Sequence, residues 1–401
     1  RARPPPRVRP DPATPEAWRA TRAGARLLAD YVRAHAAILQ DAAAGTRRPR
    51  LLVHRDSPSA GLGNRLGALV SVLALALATD RALVVDWPGA APKMHPDGEE
   101  FVGFPRVDEL FEDPGILWRY GDVAELLERS LFPLHSLTRH EVNMDDEQGA
   151  VPVLCGNLTA LLSADVVGVH SWDYFLPVVR ANPAAARVFQ ALGADAPGVL
   201  FRFLLRPVPE VRDAAYAFVG DRLAGVFSIG IHVRRRGYNK VTYHQMLGLF
   251  DCAHNLAGER AGGAPVVWFV ASDTPEGFSL AEREARRVGA MAVRSEALLD
   301  PSSMRSTLQG NRGALLDLWI LSECDELVLS AGSTFGRAAR QRSSKTSIVA
   351  TRLEGDEARA AAQRARLKGA AGLPGFQGAR GAGEGQAACS LDRTRESCYF
   401  G

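Results

Sequence analysis

The chain has 401 residues, of which 46% are hydrophobic, and its 48 Lys plus Arg against 45 Asp plus Glu leave a formal net charge of +3. That length and apolar content exclude a mainly disordered chain and allow two domains or one large α/β unit. The near balance of charge lacks the dense basic signature of a nucleic-acid binder. Lysine occurs only at Lys93, Lys240, Lys345 and Lys368, so the abundance of arginine is compositional bias rather than a signal.

No run of eighteen apolar residues is present, and the opening RARPPPRVRPDPATPE has neither the apolar core of a signal peptide nor an initiator methionine. The chain reads as a fragment whose anchor or targeting segment would lie upstream. Residues 1–16 are rich in proline and arginine and are expected to be disordered. WRATRAGARLLADYVRAHAAIL then predicts an amphipathic helix, LLVH a strand, Asn64 to Ala78 a helix buried on nearly every face, and ALVVDW a second strand, together one βαβ unit. From about 90 to 165 the pattern is irregular, and DVVGVHSWDYF predicts a strand ending in a polar cluster.

A boundary is expected at 205/206, giving a first domain over 17–205 and a second over 206–354. The second half alternates: helix PEVRDAAYAFVGDRL, strand VFSIGIHV, helix YHQMLGLFDCAHNLA, strand PVVWFVAS, helix GFSLAEREARRV, helix RGALLDLWILSEC, strand ELVLS, helix TFGRAARQR, strand SIVAT. Strands alternating with helices predict a parallel, doubly wound α/β sheet. Residues 355–401 are a low-complexity stretch and a cysteine-bearing tail. The five cysteines, Cys155, Cys252, Cys324, Cys389 and Cys398, contain no C-x-x-C pair, which argues against a zinc ribbon. Cys389 and Cys398 flank a short loop, where a local disulfide would fit an oxidising compartment, and Asn157-Leu158-Thr159 is a glycosylation sequon.

Four stretches could carry chemistry, each at the end of a predicted strand. GLGNRLG, residues 61–67, resembles a dinucleotide loop, with Asp86 near the place of a ribose-binding acid. Its glycines, Gly61, Gly63 and Gly67, give G-x-G-x-x-x-G rather than G-x-G-x-x-G, and the loop RDSPSA before them is too long for that fingerprint. A Gly-rich turn capping a buried helix explains the glycines, whereas Asn64 and Arg65 at a helix start point to an anion. SIGIHVRRRGYNK ends its strand in His232, Arg234, Arg235 and Arg236, and an arginine fork matches a diphosphate; a solvated basic turn is the competing reading. VVWFVASDT ends in Ser272, Asp273 and Thr274, with Asp273 suited to guanine N–H or ribose hydroxyl groups. ELVLSAGSTFGRAAR ends in Ser333, Thr334 and Phe335 before a helix, where hydroxyls and backbone N–H groups suit phosphate, or form an ordinary N-cap.

Taken in order, these stretches resemble a known family. GLGNRLGALVSVLALALATDRALVVDW is similar to the N-terminal signature of the plant-type fucosyltransferases typified by xyloglucan fucosyltransferase. VVGVHSWDYFLPVV resembles their segment with Asp or Asn before Tyr-Phe-x-Pro, SIGIHVR their strand ending in an essential arginine, and LLDLWILSECDELVLSAGSTFGRAAR their block ending in Ser-Thr-Phe-Gly. The tail ACSLDRTRESCYF resembles their C-terminus. The match runs over most of residues 50–350. His232 stands where the plant enzymes tend to have glutamine, and HVRRRGY leans towards the related α1,2- and protein O-fucosyltransferases, departures that bear on the acceptor more than the donor.

The resemblance implies a GT-B-like fold, two Rossmann-like domains facing across a cleft, with GDP-fucose held mainly by the C-terminal one and an acceptor sugar by the other. It implies inverting transfer of L-fucose to a glycan hydroxyl, with galactosyl 2-OH the expected acceptor, in the Golgi lumen as a type II membrane protein; a homodimer is allowed. Gly61, Gly63, Asn64, Arg65, His232, Arg234, Asp273, Ser333, Thr334 and Phe335 are the expected donor contacts. The sequence contains no D-x-D triplet, so no metal or other cofactor is expected and arginine must meet the charge on the departing diphosphate. Arg234 is the expected electrostatic catalyst, Asn64 an assisting amide, and Asp173 in SWDYF the base by resemblance, with a structural carboxylate as its alternative. Two readings compete with the enzyme: a glycan-binding protein of the same fold without turnover, and an NAD(P)-binding oxidoreductase.

Overall fold

The computed structural model describes residues 20–57, 60–87, 89, 93–94, 100–101, 104–235, 241–295, 307–343, 347–350 and 389–391. Thr21 starts helix α1 (Arg22–Ala43) by accepting the Gly24 N–H at 2.9 Å. Two short apolar runs follow as β1 (Leu51–Arg55) and β2 (Ala82–Asp86), which pair in parallel from Leu51↔Ala82 to Arg55↔Asp86. Between them α2 (Leu62–Thr79) is buried on almost every face. Among the described residues it is the one helix long and apolar enough to span a membrane, yet 89% of it lies inside the protein, which makes it the core helix its sequence predicts.

Strands β3 (Arg139–Asn143) and β4 (Val166–His170) complete a four-stranded parallel sheet of order β2-β1-β4-β3. β2 is an edge strand, and α1 covers it: the Tyr31 hydroxyl accepts the Leu83 N–H at 3.0 Å and His35 Nε2 donates to the Leu83 carbonyl at 2.9 Å. The expected irregularity of 90–165 is corrected in part, since β3 and the helix Tyr120–Glu128 lie there. In β3 only Val142 is buried, so its sequence carries no apolar alternation.

Helices α3 (Leu176–Ala181), α4 (Ala196–Leu204) and α5 (Pro209–Phe218) lead to the second sheet. The expected boundary at 205/206 falls in the connection between α4 and α5. The predicted helix over PEVRDAAYAFVGDRL ends at Phe218 and continues as one π-helical turn, Val219–Leu223. The second sheet then builds from β5 (Phe227–Val233), α6 (Tyr243–Arg260), β6 (Val266–Ser272), α7 (Pro275–Arg287), β7 (Met291–Val293), α8 (Leu308–Glu323), β8 (Glu326–Ser330), α9 (Thr334–Ser343), β9 (Ser347–Ala350) and β10 (Cys389–Leu391). Its order is β10-β9-β8-β5-β6-β7, parallel except for β10. The side chain of Cys389 and all of Cys398 lie outside the described residues; Cys155 is an exposed thiol, and the buried Cys324 thiol donates to the Ile320 carbonyl at 3.4 Å.

One hydrophobic core joins the two sheets. It runs from Leu52, Leu83 and Val167 through Leu66, Leu69 and Leu73 of α2 to Leu315 and Trp319 of α8 and to Phe269, Leu327 and Leu329 of the second sheet. The far face of that sheet packs Ile229, Ile231 and Val233 against Leu249, Phe250 and Leu280 of α6 and α7. At Gly63 the start of α2 meets the backbone at the start of α9. A Cβ there would lie 2.5 Å from the Phe335 nitrogen and 2.8 Å from its Cα, contacts that only backbone displacement could relieve. Gly63→Ala should therefore destabilise the protein by about 1–3 kcal/mol in urea unfolding, the range of overpacking. Gly121→Ala, in a helix with open space around the new methyl, should be neutral or slightly stabilising.

Candidate functional site

In the second sheet the chain passes from β5 to β6 and β7 on one side, and α8 then returns it to β8 on the other side of β5. The strand order reverses between β5 and β8, and the crevice beyond their carboxyl ends is where open α/β sheets bind ligands. Arg234 and Arg235 leave β5 at this point, and Ala331 to Ser333 lead from β8 into α9. The Ser330 hydroxyl stitches the two strand ends together, accepting the Arg234 N–H at 3.0 Å and donating to the His232 carbonyl at 2.8 Å. On the other flank Asp273, just past β6, accepts the Arg235 N–H at 2.6 Å, and the Arg235 guanidinium donates to the Val241 carbonyl at 2.6 Å. The turn carrying Arg234 is thus pinned on both sides. Arg236 lies outside the described residues.

His232 lies beneath this turn, buried, with its ring 5.2 Å from that of Phe335. Burial drives its pKa down to about 4, the Arg234 charge adds to the fall and Asp273 opposes it. The imidazole is neutral at pH 7, and its Nδ1 has no hydrogen-bond partner among the described residues. Such an orphaned buried nitrogen is the kind of group a bound molecule can satisfy.

Opposite the crevice stands the start of α2. Gly61 is its N-cap, with no side-chain cap and no acidic residue in the first turn, and a Cβ at Gly61 would meet open space. Gly63, two residues on, touches the backbone of Thr334 and Phe335 at the start of α9, which also lacks an acidic residue in its first turn. Ser333 caps α9 weakly, its hydroxyl 3.5 Å from the Gly336 nitrogen. Two helix N-termini, each carrying about half a positive charge, therefore meet beside Arg234 without a carboxylate in either first turn. An anion at this junction would satisfy both. Asn64 is half-buried at the same turn.

The structure assigns Arg65 and Asp173 other work. Arg65 is only 1% exposed; its guanidinium pairs with Asp56, donates through Nε to the Ala60 carbonyl at 2.8 Å, and stacks 3.8 Å from the Phe104 ring centroid. Arg65, expected as a donor contact, supports the loop before Gly61. Burial raises the Asp56 pKa to about 6 and lowers that of Arg65, against the attraction of the pair, so the loop is held by an ion pair whose desolvation is costly. Asp86, the ribose acid of the dinucleotide reading, pairs instead with Arg55 at 2.5 Å.

Asp173 accepts the Tyr174 N–H at 2.7 Å and the Arg337 guanidinium on the same oxygen, Oδ1. It ties the loop after β4 to α9. The same loop rests on α2, because Gly67 leaves room for Tyr174 and the Ser71 hydroxyl accepts the Phe175 N–H at 3.0 Å. Gly63, Gly67 and Ser71 fall four residues apart on one helical stripe. That stripe explains the spacing of GLGNRLG, since the glycines clear a path for α9 and for SWDYF.

Two groups carried no sequence signal. Arg337 is one, a single arginine among many in GRAAR. The other is Asp317, a buried carboxylate within the apolar run of α8, which accepts the Ser295 hydroxyl at 2.5 Å. Burial raises its pKa to about 7, against the Ser295 hydrogen bond and the Arg294 charge. The unfolded chain ionises this group near the ordinary value of 3.8, whereas the folded chain keeps the proton to about 7. The folded state therefore binds more protons in this window, and stability contributed by Asp317 is lost as pH rises from about 4 to about 7. Asp317→Asn should flatten that part of the stability profile, read as urea midpoints across the same pH range.

No protein-family model matches the sequence, and no curated protein matches it. The arrangement of two sheets is similar to that of Arabidopsis thaliana FUT1, solved as an arginine-to-lysine variant in complex with GDP, at 18% identity and a TM-score of 0.61, over 84% of this chain and 80% of that chain. A lesser likeness is to the fucosyltransferase NodZ from Bradyrhizobium, at 20% identity and a TM-score of 0.46, over 73% of this chain and 93% of that one. The fold is the GT-B-like one that the sequence implied: two Rossmann-like units facing across a cleft.

Proposed function

We propose that this chain is an inverting glycosyltransferase that moves L-fucose from GDP-fucose to a hydroxyl of a glycan acceptor. The observation that carries the reading is the meeting of two acid-free helix N-termini beside Arg234 at the switch point of the C-terminal sheet. The diphosphate of a nucleotide sugar has the charge and size for that junction. The likeness to a fucosyltransferase fold solved with GDP supports the same donor.

In the reaction the acceptor oxygen attacks the anomeric carbon of fucose as the bond to the β-phosphate oxygen breaks. The electron pair leaves with GDP, and the acceptor proton passes to a base or to solvent. Negative charge then grows on the diphosphate, where Arg234, the Thr334 and Phe335 N–H groups and the Ser333 hydroxyl stabilise it, a preorganised arrangement of donors. The neutral His232 contributes Nδ1 as a hydrogen-bonding atom under the nucleotide, and Asn64 an amide from the opposite helix. Asp273 holds the Arg235 turn and offers its carboxylate to ribose or guanine. Asp173 maintains the cleft through Arg337.

The finer terms of the proposal are transfer to galactosyl 2-OH in α1,2 linkage, independence of divalent metal, and work in the Golgi lumen after an N-terminal anchor. Support for metal independence is the lack of any D-x-D triplet in the sequence. Support for the lumen is the sequon at Asn157, an exposed residue whose side-chain oxygen caps the helix Leu158–Leu161.

A thermal-shift comparison should give a rise in Tm with GDP-fucose and none with NAD; the reverse would return the dinucleotide reading. Arg234→Ala should reduce transfer at least 100-fold with Tm unchanged, the scale of losing one preorganised donor. Transfer should survive EDTA, and a chelator-sensitive enzyme would remove the metal-independent reading.

A further inference from the structure

We infer that the segment holding Cys389 and Cys398 is joined to α6 by a disulfide from Cys252, so that the second sheet is completed by a covalent cross-link and the chain folds where thiols are oxidised. This cross-link stands apart from the transferase reading, since it concerns how the sheet that carries Arg234 is held together.

Cys252 lies midway along α6, buried in the core that joins this helix to Ile229, Ile231 and Val328. Its sulfur is engaged in a disulfide. The chain has four other cysteines, and two of them are accounted for. Cys155 carries an exposed thiol at the end of the helix Glu147–Cys155, next to the first sheet. Cys324 keeps its thiol, which donates to the Ile320 carbonyl at 3.4 Å, and it belongs to the core on the opposite face of the second sheet from Cys252. The partner of Cys252 is therefore Cys389 or Cys398. A local bridge between those two, which their spacing in the sequence suggests, is then ruled out, because α6 takes one of them.

Topology brings the two ends of the cross-link together. α6 packs on β8 and β9 as well as on β5. β10 pairs with β9, antiparallel, from Ile348↔Leu391 to Ala350↔Cys389, and so lies beside a strand that α6 covers. The strand also needs a tie. β10 has three residues, and its pairing closes a loop over the 38 residues from 351 to 388. So short a ladder gains little against the entropy of ordering the strand and closing that loop, whereas a cross-link restricts the unfolded chain itself. The tie bears on the candidate site as well. Ala350, opposite Cys389, is the partner of Ser330 on β8, and the Ser330 hydroxyl is the group that joins Arg234 to His232. Forming the bond turns two thiols into one disulfide while a disulfide donor, a carrier protein or oxidised glutathione, is reduced to two thiols by exchange. An oxidising compartment maintains such donors, and a reducing cytosol does not.

The test is peptide mapping of the full chain, produced in a host compartment that forms disulfides. After unfolding without reductant and alkylation with iodoacetamide, a protease digest should contain a cross-linked pair holding Cys252 and one of Cys389 and Cys398, with Cys155 and Cys324 alkylated. Adding dithiothreitol to the folded protein should lower Tm by at least about 5 °C, the scale of losing a long-range cross-link. It should also speed amide hydrogen exchange in β9 at least tenfold while leaving β1 and β2 unchanged. Cys252→Ser should reproduce both effects and no longer respond to dithiothreitol, and Cys155→Ser should behave as the parent. Alkylated Cys252 in the unreduced protein, a peptide linking Cys389 to Cys398, or a Tm that dithiothreitol leaves unchanged overturns the cross-link. Binding of GDP-fucose, on which the transferase reading turns, is a separate measurement.

Discussion

The contact on which the rest of this structure depends is the one between Gly63 and the backbone of Phe335. It is the place where a helix of the first sheet and a helix of the second meet at their N-termini with no side chain between them. Backbone contact brings two positive helix ends together, so the approach that closes the core also creates the electrostatic demand the site fulfils. Neighbouring stitches keep the geometry. Asp173 binds Arg337, Tyr174 lies against Gly67, and Ser330 bridges Arg234 and His232. Each joins elements distant in sequence, so the cleft is a product of the whole fold rather than of one motif.

Most buried charge in this protein is scaffolding. Arg81, fully buried, donates to the carbonyls of Leu51 at 3.0 Å and Ala164 at 2.8 Å as well as to Leu162, and burial lowers its pKa to about 10. Arg342 pairs with Glu323 at 2.7 Å and stacks over Trp319 at 4.4 Å. Arg65 and Asp56 do the same beneath the loop that opens α2. Arginine suits this role because its fork bridges several carbonyl or carboxylate oxygens at once and stacks on aromatic rings. The arginines at the switch point of the second sheet, Arg234 and Arg235, differ in being half-buried at the end of a strand.

Legibility in the sequence followed the periodicity of burial. β1, β2, β5, β6 and β8 are apolar runs with few polar interruptions and were readable. β3, RHEVN, was not, because four of its five residues are exposed and its pairing with β4 alone makes it a strand. Asp317 was hidden for the opposite reason: it stands in an apolar helix whose pattern gives no hint of a buried carboxylate, and its partner Ser295 follows a different strand.

The sequence alone determined the order and type of the principal elements, and with it which residues would arrive at the carboxyl ends of strands. Arg234 and Asp273 lie just past their strands, Ser333 leads from β8 into α9, and Gly61, Gly63 and Asn64 open α2 after β1. Tertiary structure alone decided what each does. Gly63 and Gly67 serve packing because α9 and SWDYF come to lie on α2, Arg65 serves a loop because Asp56 turns inward, and Asp173 serves a clamp because Arg337 reaches it from 164 positions away. Local periodicity is written into neighbouring residues, whereas the partner that fixes a charged side chain's role is chosen by the packing of the sheets.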